Sequence, residues 1–289
     1  MTRRISIMAR IIATPPLRAA LALATLLLAA YLAACGYLFL AQRHLVFQPK
    51  PIVLGDPPGG SGLQGLPVSV PGLGVLTDWW VPPTSRMLPT VVFFHGNASD
   101  RSDFLRQAQP FQARGWGVVL ASYRGYSGNP GSPSEDGLMA DARATLAAIA
   151  SQVGPVIVWG HSLGSGVAAR MASEGRAAGL VLESPYTVLT EVAGSRYPYV
   201  PVRWLMKDRF DTESLIGHIQ APTLVIHGTA DPIIPFAMGQ TLARALGTRA
   251  TFVALPGVGH FPHRQDLSPL VFAWAQRSGI GPVAESVSR

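Results

Sequence analysis

Cysteine occurs once in this chain, at Cys35, so no disulfide can form within it and no cluster of thiolates can hold a metal. Lysine is almost as scarce. Lys50 and Lys207 are the only two, and the net charge of +7 rests on arginines scattered along the sequence. No basic run or aromatic-interleaved stripe is present, which argues against a nucleic-acid surface. An anionic membrane is the better use of that charge. Charged residues are few altogether, 13% against 48% hydrophobic, which excludes a disordered chain or a coiled coil and implies a large buried core. Internal repeats and low-complexity tracts are also lacking.

Charge is missing most conspicuously between Ala19 and Gln42, where no Asp, Glu, Lys or Arg occurs. As a helix this stretch is about 36 Å long, against about 30 Å of hydrocarbon in a bilayer, so it is long enough to span one. Arg3, Arg4, Arg10 and Arg18 precede it, whereas only Arg43 and Lys50 follow closely. The positive-inside bias then places the amino terminus in the cytoplasm and the bulk of the chain across the membrane, on the periplasmic side of a bacterial cell. A competing reading is lipoprotein processing at Leu32-Ala33-Ala34-Cys35; against it, Gly36 to Leu40 continues the apolar run where a polar tether is usual. The expected organisation is a basic segment over 1–18, an anchor over 19–42, a catalytic domain over 45–278 and a tail over 279–289.

Beyond the anchor, His44 to Pro49 reads as a short strand. Gly60-Ser61-Gly62-Leu63-Gln64-Gly65 matches a dinucleotide fingerprint, but prolines flank it and no strand-to-helix context surrounds it, so no nucleotide site is expected. Val68 to Val81 reads as two strands turning at Gly72 to Gly74. Short apolar runs then recur at Thr90 to Phe94, Gly117 to Ala121, Val156 to Trp159, Leu180 to Glu183, Thr223 to Ile226 and Thr251 to Leu255. Such runs suit a parallel sheet covered on both faces. Leu138, Ala142, Leu146, Ile149 and Val153 recur at helical spacing behind a start signal at Ser132 to Glu135. Alternating strand and helix predict an α/β, doubly wound, mostly parallel sheet with right-handed crossovers.

The chemistry is carried by Gly160-His161-Ser162-Leu163-Gly164, which follows one apolar run and leads into a helix-compatible segment. This is the nucleophile elbow GxSxG in the strand-turn-helix setting that it requires, with glycines where side chains would collide. An acid and then a histidine should follow in that order. Asp231 lies at the end of the run Thr223 to Ile226, and His260 follows Thr251 to Leu255 within Gly257-Val258-Gly259-His260. Glu183 is an alternative acid and His263 an alternative base, but His263 lacks the small-residue turn. His95 and His161 read as packing groups, because one histidine already fills the base role. Ser165 lies one helical turn too far along to share the elbow, and Asn97-Ala98-Ser99, although a glycosylation pattern, sits on a turn too enclosed to modify.

Phe93 to Ser99 (FFHGNAS), Ser122 to Gly137 (SYRGYSGNPGSPSEDG), GHSLG, Glu183 to Tyr186 (ESPY), His227 to Pro235 (HGTADPIIP) and Gly257 to Phe261 (GVGHF) together resemble the alpha/beta-hydrolase superfamily. The resemblance covers Leu45 to about Ser278. Its detail is similar to membrane-anchored lysophospholipases, depalmitoylases and enzymes known as serine aminopeptidases. It implies a triad of Ser162, Asp231 and His260. It also implies an oxyanion hole from the backbone N–H groups of Leu163 and, through the HGX turn, Asn97. No cofactor or metal is implied. Between Pro185 and Ser214 lies room only for a small cap, rich in Tyr186, Tyr197, Tyr199, Trp204 and Met206, which could line an acyl groove or pack on the sheet. The expected substrate is an acyl ester or thioester of lipid character. A peptidase, or a non-catalytic binding protein on the same fold, is the alternative; Glu191, the only acidic residue between Tyr186 and Lys207, is the carboxylate that could meet a substrate ammonium, but the sequence gives it no identifiable orienting partner.

Overall fold

The computed structural model describes residues 15–281, so Arg3, Arg4 and Arg10 and the tail beyond Gly281 lie outside the described residues. Two units divide the chain after Leu45. The first consists of helix α1 (Pro15–Val46), which starts with two prolines, tolerated in a first turn, and continues through leucines and alanines that favour helix. Most of its leucines, Leu26, Leu32 and Leu40 among them, are exposed, and it is long and apolar enough to cross a membrane. His44 to Pro49 does not form the expected strand. Nothing breaks the helix before Val46, and Pro49 and Pro51 then keep the backbone out of regular pairing.

The second unit is built on an eight-stranded sheet. Its strands are β1 (Gln64–Val70), β2 (Gly74–Val81), β3 (Thr90–Phe94), β4 (Gly117–Ala121), β5 (Val156–His161), β6 (Gly179–Glu183), β7 (Thr223–Gly228) and β8 (Ala250–Leu255). They lie in the order β1-β2-β4-β3-β5-β6-β7-β8. β1 and β2 form the expected hairpin, and β2 meets β4 antiparallel; every other neighbour is parallel. The glycine-rich run ahead of the hairpin is a turn that enters β1 at Gln64, with no helix after it, so the fingerprint match has no structural counterpart.

Consecutive residues of each central strand face opposite sides, and each side is packed. Val92, Phe94, Val119 and Val158 point toward helices α3 (Glu135–Ile149) and α4 (Leu163–Ser173); Val91, Phe93, Val118 and Trp159 share the other core with Phe104, Phe111 and Trp274. That second face is covered by α2 (Leu105–Ala113) and α8 (Ser268–Arg277), while α7 (Phe236–Leu246) joins the first. At about 1.5–3 kcal/mol for each fully buried large apolar side chain, the two layers provide the main stabilisation. The start of α3 follows its sequence signal. Ser134 caps it by accepting from Gly137 N, and Glu135 and Asp136 sit in the first turn, where the helix dipole favours negative charge. Val153, expected on the same helix, is buried but lies beyond its end at Ile149.

Strand order fixes where the chemistry can lie. The chain leaves β3 toward β4 on one side and returns to β5 on the other, and β3 pairs directly with β5, Phe94 opposite Gly160. The loops after these two strands diverge, and the crevice between them is where open α/β sheets bind ligands.

Candidate active site

β5 runs to His161, and α4 begins at Leu163, so the whole turn between strand and helix is Ser162. Ser162 takes φ 51°, a left-handed conformation that L-residues adopt only when their surroundings enforce it. The enforcement is steric and polar. A Cβ on Gly160 would overlap the Gly164 carbonyl, a Cβ on Gly164 would overlap the Phe94 carbonyl, and Ser162 N donates to Glu183 O at 2.9 Å. Both glycines of the motif are therefore required by close backbone approach.

The structure brings the three residues singled out in the sequence into one line. His260 Nε2 lies 2.9 Å from Ser162 Oγ, and His260 Nδ1 lies 2.8 Å from Asp231 Oδ2. Asp231 is held in turn: its Oδ1 accepts from Ile233 N at 2.8 Å and Ile234 N at 2.9 Å. Burial alone would raise its pKa; hydrogen bonds from His227 and His260 outweigh that and keep the carboxyl well below the usual range. Asp231 is thus favoured as the anion, and it selects the His260 tautomer with the proton on Nδ1.

The two backbone groups proposed for an oxyanion stand on either side of Ser162. Leu163 opens α4, so its N–H has no carbonyl one turn back to bond. A Cβ on Gly96 would come within 3.2 Å of Ser162 Cβ, which puts the His95-Gly96-Asn97 turn against Ser162. Asn97 is pinned by its side chain, whose Oδ1 accepts from Gln48 N at 2.7 Å and from the Tyr126 hydroxyl at 3.2 Å.

Comparison with known proteins identifies the fold family. The alpha/beta hydrolase fold family matches residues 89–215. An uncharacterised protein of Mycobacterium tuberculosis is 37% identical over 233 residues, which cover 78% of this chain and 82% of that protein. The chain belongs to the alpha/beta-hydrolase superfamily. This hydrolase is also 33% identical over 187 residues to the lysophosphatidylserine lipase ABHD12 of Danio rerio, covering 57% of the present chain but only 49% of that one. It thus spans about half the length of that relative. Among solved structures, the Pyrococcus furiosus esterase Pf2001 superposes with a TM-score of 0.63 at 18% identity, over 80% of this chain and 96% of the other, a likeness of fold.

The remaining histidines of the hydrolase are placed apart from the reacting line. His95 is buried against Tyr123 and Tyr126, with burial pushing its pKa down to about 4. His161, brought to about 3 chiefly by burial, sets its Nε2 2.9 Å from the His260 carbonyl, which also accepts from Ser184 Oγ at 3.2 Å. His263 faces Glu183: Oε1 accepts from His263 N at 2.8 Å and lies 2.7 Å from His263 Nδ1, while Trp159 Nε1 donates to Oε2 at 2.8 Å. Burial opposes charge on both partners, yet their mutual attraction raises His263 and lowers Glu183. Neither alternative, Glu183 as acid or His263 as base, therefore joins the line of Ser162, His260 and Asp231; they clamp the loop that carries His260.

His161, Glu183 and His263 bring ligand-capable atoms within 4.8 Å of one another, yet both Glu183 oxygens already accept protein hydrogen bonds, so the group fits an ion pair better than a metal. His227, given no role by the sequence, lies with Nε2 3.3 Å from Asp231 Oδ2. Its signal was its place at the end of β7, four residues before the acid. Ser165 Oγ donates to Ser162 O, a helix-internal contact.

The cap is two short helices, α5 (Leu189–Arg196) and α6 (Val202–Leu205). Its aromatics divide. Tyr186 is fully buried with its hydroxyl on Leu163 O at 3.2 Å, and Met206 is buried too, so these belong to the packing. Tyr199 and Trp204 are 87% and 88% exposed. Glu191, expected to lack an orienting partner, has two: Thr187 Oγ1 donates at 2.9 Å and Arg203 approaches at 3.4 Å. Spacing alone could not reveal this, because Arg203 comes from the next helix.

Proposed function

We propose that this chain is a membrane-anchored serine hydrolase that cleaves carboxylic ester or thioester bonds of acyl-lipid-like substrates through an acyl-enzyme. The observation that carries the reading is the unbroken line from Ser162 Oγ through both ring nitrogens of His260 to a buried, ionised Asp231. In it, His260 Nε2 accepts the Ser162 proton as Oγ attacks the acyl carbon, and Asp231 stabilises the resulting imidazolium. The N–H groups of Leu163 and Asn97 hold the tetrahedral oxyanion. Collapse expels the alcohol or thiol, protonated by His260. Water, deprotonated by the same nitrogen, then releases the acid.

Lipid character is supported by the apolar α1, by the exposed Tyr199 and Trp204 of the cap, and by the lipase name of the ABHD12 relatives. In this reading 1–18 is a cytoplasmic basic segment, 19–42 the span, 45–278 the catalytic domain on the periplasmic side and 279–289 a tail. The peptidase remains the alternative, since Thr187 and Arg203 orient Glu191, the carboxylate that would meet a substrate ammonium. The test is kcat/KM on p-nitrophenyl esters of increasing chain length against amino-acid p-nitroanilides, corrected for leaving-group lability. Esters are expected to be turned over faster, with longer chains preferred. Faster corrected turnover of the anilides would overturn the reading.

A further inference from the structure

The chain that follows the anchor helix directly is fastened to the turn that carries Asn97. Phe47 is buried in the core, its ring 6.2 Å from that of Phe210. One residue on, Gln48 N donates to Asn97 Oδ1 at 2.7 Å. The Lys50 ammonium then lies 2.8 Å from Asp100 Oδ2 and 2.7 Å from Asp103 Oδ2. Asp103 Oδ2 also accepts from Ser99 Oγ at 2.7 Å and from Asp100 N at 3.1 Å. Residues 47–50 therefore grip the turn at both of its ends, Asn97 and Asp100.

The turn needs holding from outside. Ala98 takes φ 50°, a left-handed conformation that is unfavourable for a residue with a Cβ. The Asp100 side chain is buried beside a second carboxylate, Asp103, and the two repel each other unless a cation lies between them. Lys50 supplies that cation. The segment that supplies it is itself stiff, because Gln48 and Lys50 each precede a proline, which keeps both in extended backbone. An oxyanion donor acts at about 2.7–3.1 Å, so a small displacement of the turn would weaken it. We propose that residues 47–50 are a positioning strap for the oxyanion hole: they contribute no reacting atom, but fix where the Asn97 N–H lies by holding the Asn97 side chain at one end of the turn and Asp100 at the other. The proposal rests on the hydrolase reading above, with Asn97 as an oxyanion donor.

The experiment uses the full chain in an uncharged detergent, with p-nitrophenyl butyrate as substrate and an alkyl trifluoromethyl ketone as the probe of the hole. Ser162 Oγ adds to the ketone carbon, its proton passes to His260, and the carbonyl oxygen becomes an anion facing the two N–H groups. Gln48→Pro removes the donated N–H, Asn97→Ala removes its acceptor but keeps the backbone N–H, and Lys50→Met removes the cation. Each is expected to lower kcat about tenfold, less than the roughly 10²–10³ lost with a whole oxyanion donor, with KM changed by no more than about twofold. Ketone affinity should fall by the same factor as kcat, and Lys50→Arg should recover most of both. Gln48→Pro/Asn97→Ala should be no worse than the worse single variant, because both break one hydrogen bond. Melting temperatures identify the variants that remain folded; if Gln48→Pro does not, the other two carry the test. Folded variants with unchanged kcat, or with lowered kcat but unchanged ketone affinity, overturn the strap while leaving the hydrolase intact. Absence of turnover by the wild type on every ester, p-nitrophenyl acetate included, would instead mean that the underlying hydrolase reading has failed.

Discussion

At the scale of single residues, the hydroxyl of Ser162 and the two faces of the His260 ring are linked so closely that they should fail together. Ser162→Ala is expected to lower ester turnover by about 10⁴ or more and to abolish fluorophosphonate labelling with the fold preserved, because only a hydroxyl at the elbow is lost. His260→Ala should be as severe. His95→Ala and His263→Ala should retain measurable activity, since both side chains are turned to other partners. Label that persists in the serine variant, or a dead His263 variant, would show that the roles are wrongly assigned. The line of Ser162, His260 and Asp231 was legible because it needs fixed residue types at strand ends in a fixed order. The pairing of Glu183 with His263 and the Thr187–Glu191–Arg203 contacts were not legible. They act across 4 to 80 residues of sequence through packing that no local pattern encodes.

At the scale of elements, the strands were read closely because a sheet buried on both faces needs continuous apolar runs; β3 and β4 coincide with theirs. His44 to Pro49 misled because apolar residues next to prolines fit a strand as well as a helix end. The elbow gives a sharp expectation. Gly164→Ala drives a methyl into the Phe94 carbonyl at the centre of the sheet, where neither backbone can yield. It should cost about 3 kcal/mol or more, measured by denaturant unfolding, and activity should fall with it. The clamp between β6 and the histidine loop gives a second expectation, in pH. Glu183 is lowered in the fold, so its contribution is present above the unfolded value near 4.3 and is lost as pH falls through the folded one. His263 is raised, so its contribution is complete below about 6.5 and is lost as pH rises through the folded value. His161 stays neutral across this range, at about 3. The melting-temperature difference between the wild type and Glu183→Gln/His263→Gln should therefore be most favourable to the wild type between about pH 4.3 and 6.5 and shrink on both sides. A difference independent of pH would mean that the pair is not ionised.

At the scale of the whole molecule, the question is which side of a membrane receives the catalytic unit. α1 carries no charge between Ala19 and Gln42, so it offers no internal preference for either orientation. Orientation then depends on its flanks, where Arg3, Arg4, Arg10 and Arg18 precede the apolar stretch and Arg43 and Lys50 follow. Basic residues within about 15–20 positions of a span are the ones held back on the cytoplasmic side, and acidic residues count for little. The imbalance is four to two, all of it in arginine and one lysine, so pH cannot alter it. A reporter active only outside the cytoplasm, fused after Arg289, should be active, and a cytoplasmic reporter at the same point silent. Replacing Arg3, Arg4 and Arg10 with glutamine should erode the preference, leaving one basic residue before the span against two after it. Cytoplasmic reporter activity in the unaltered protein would overturn the topology. Fatty-acid labelling that is lost in Cys35→Ala would replace the helical anchor with a lipid one, though the catalytic unit would remain tethered at the same membrane face.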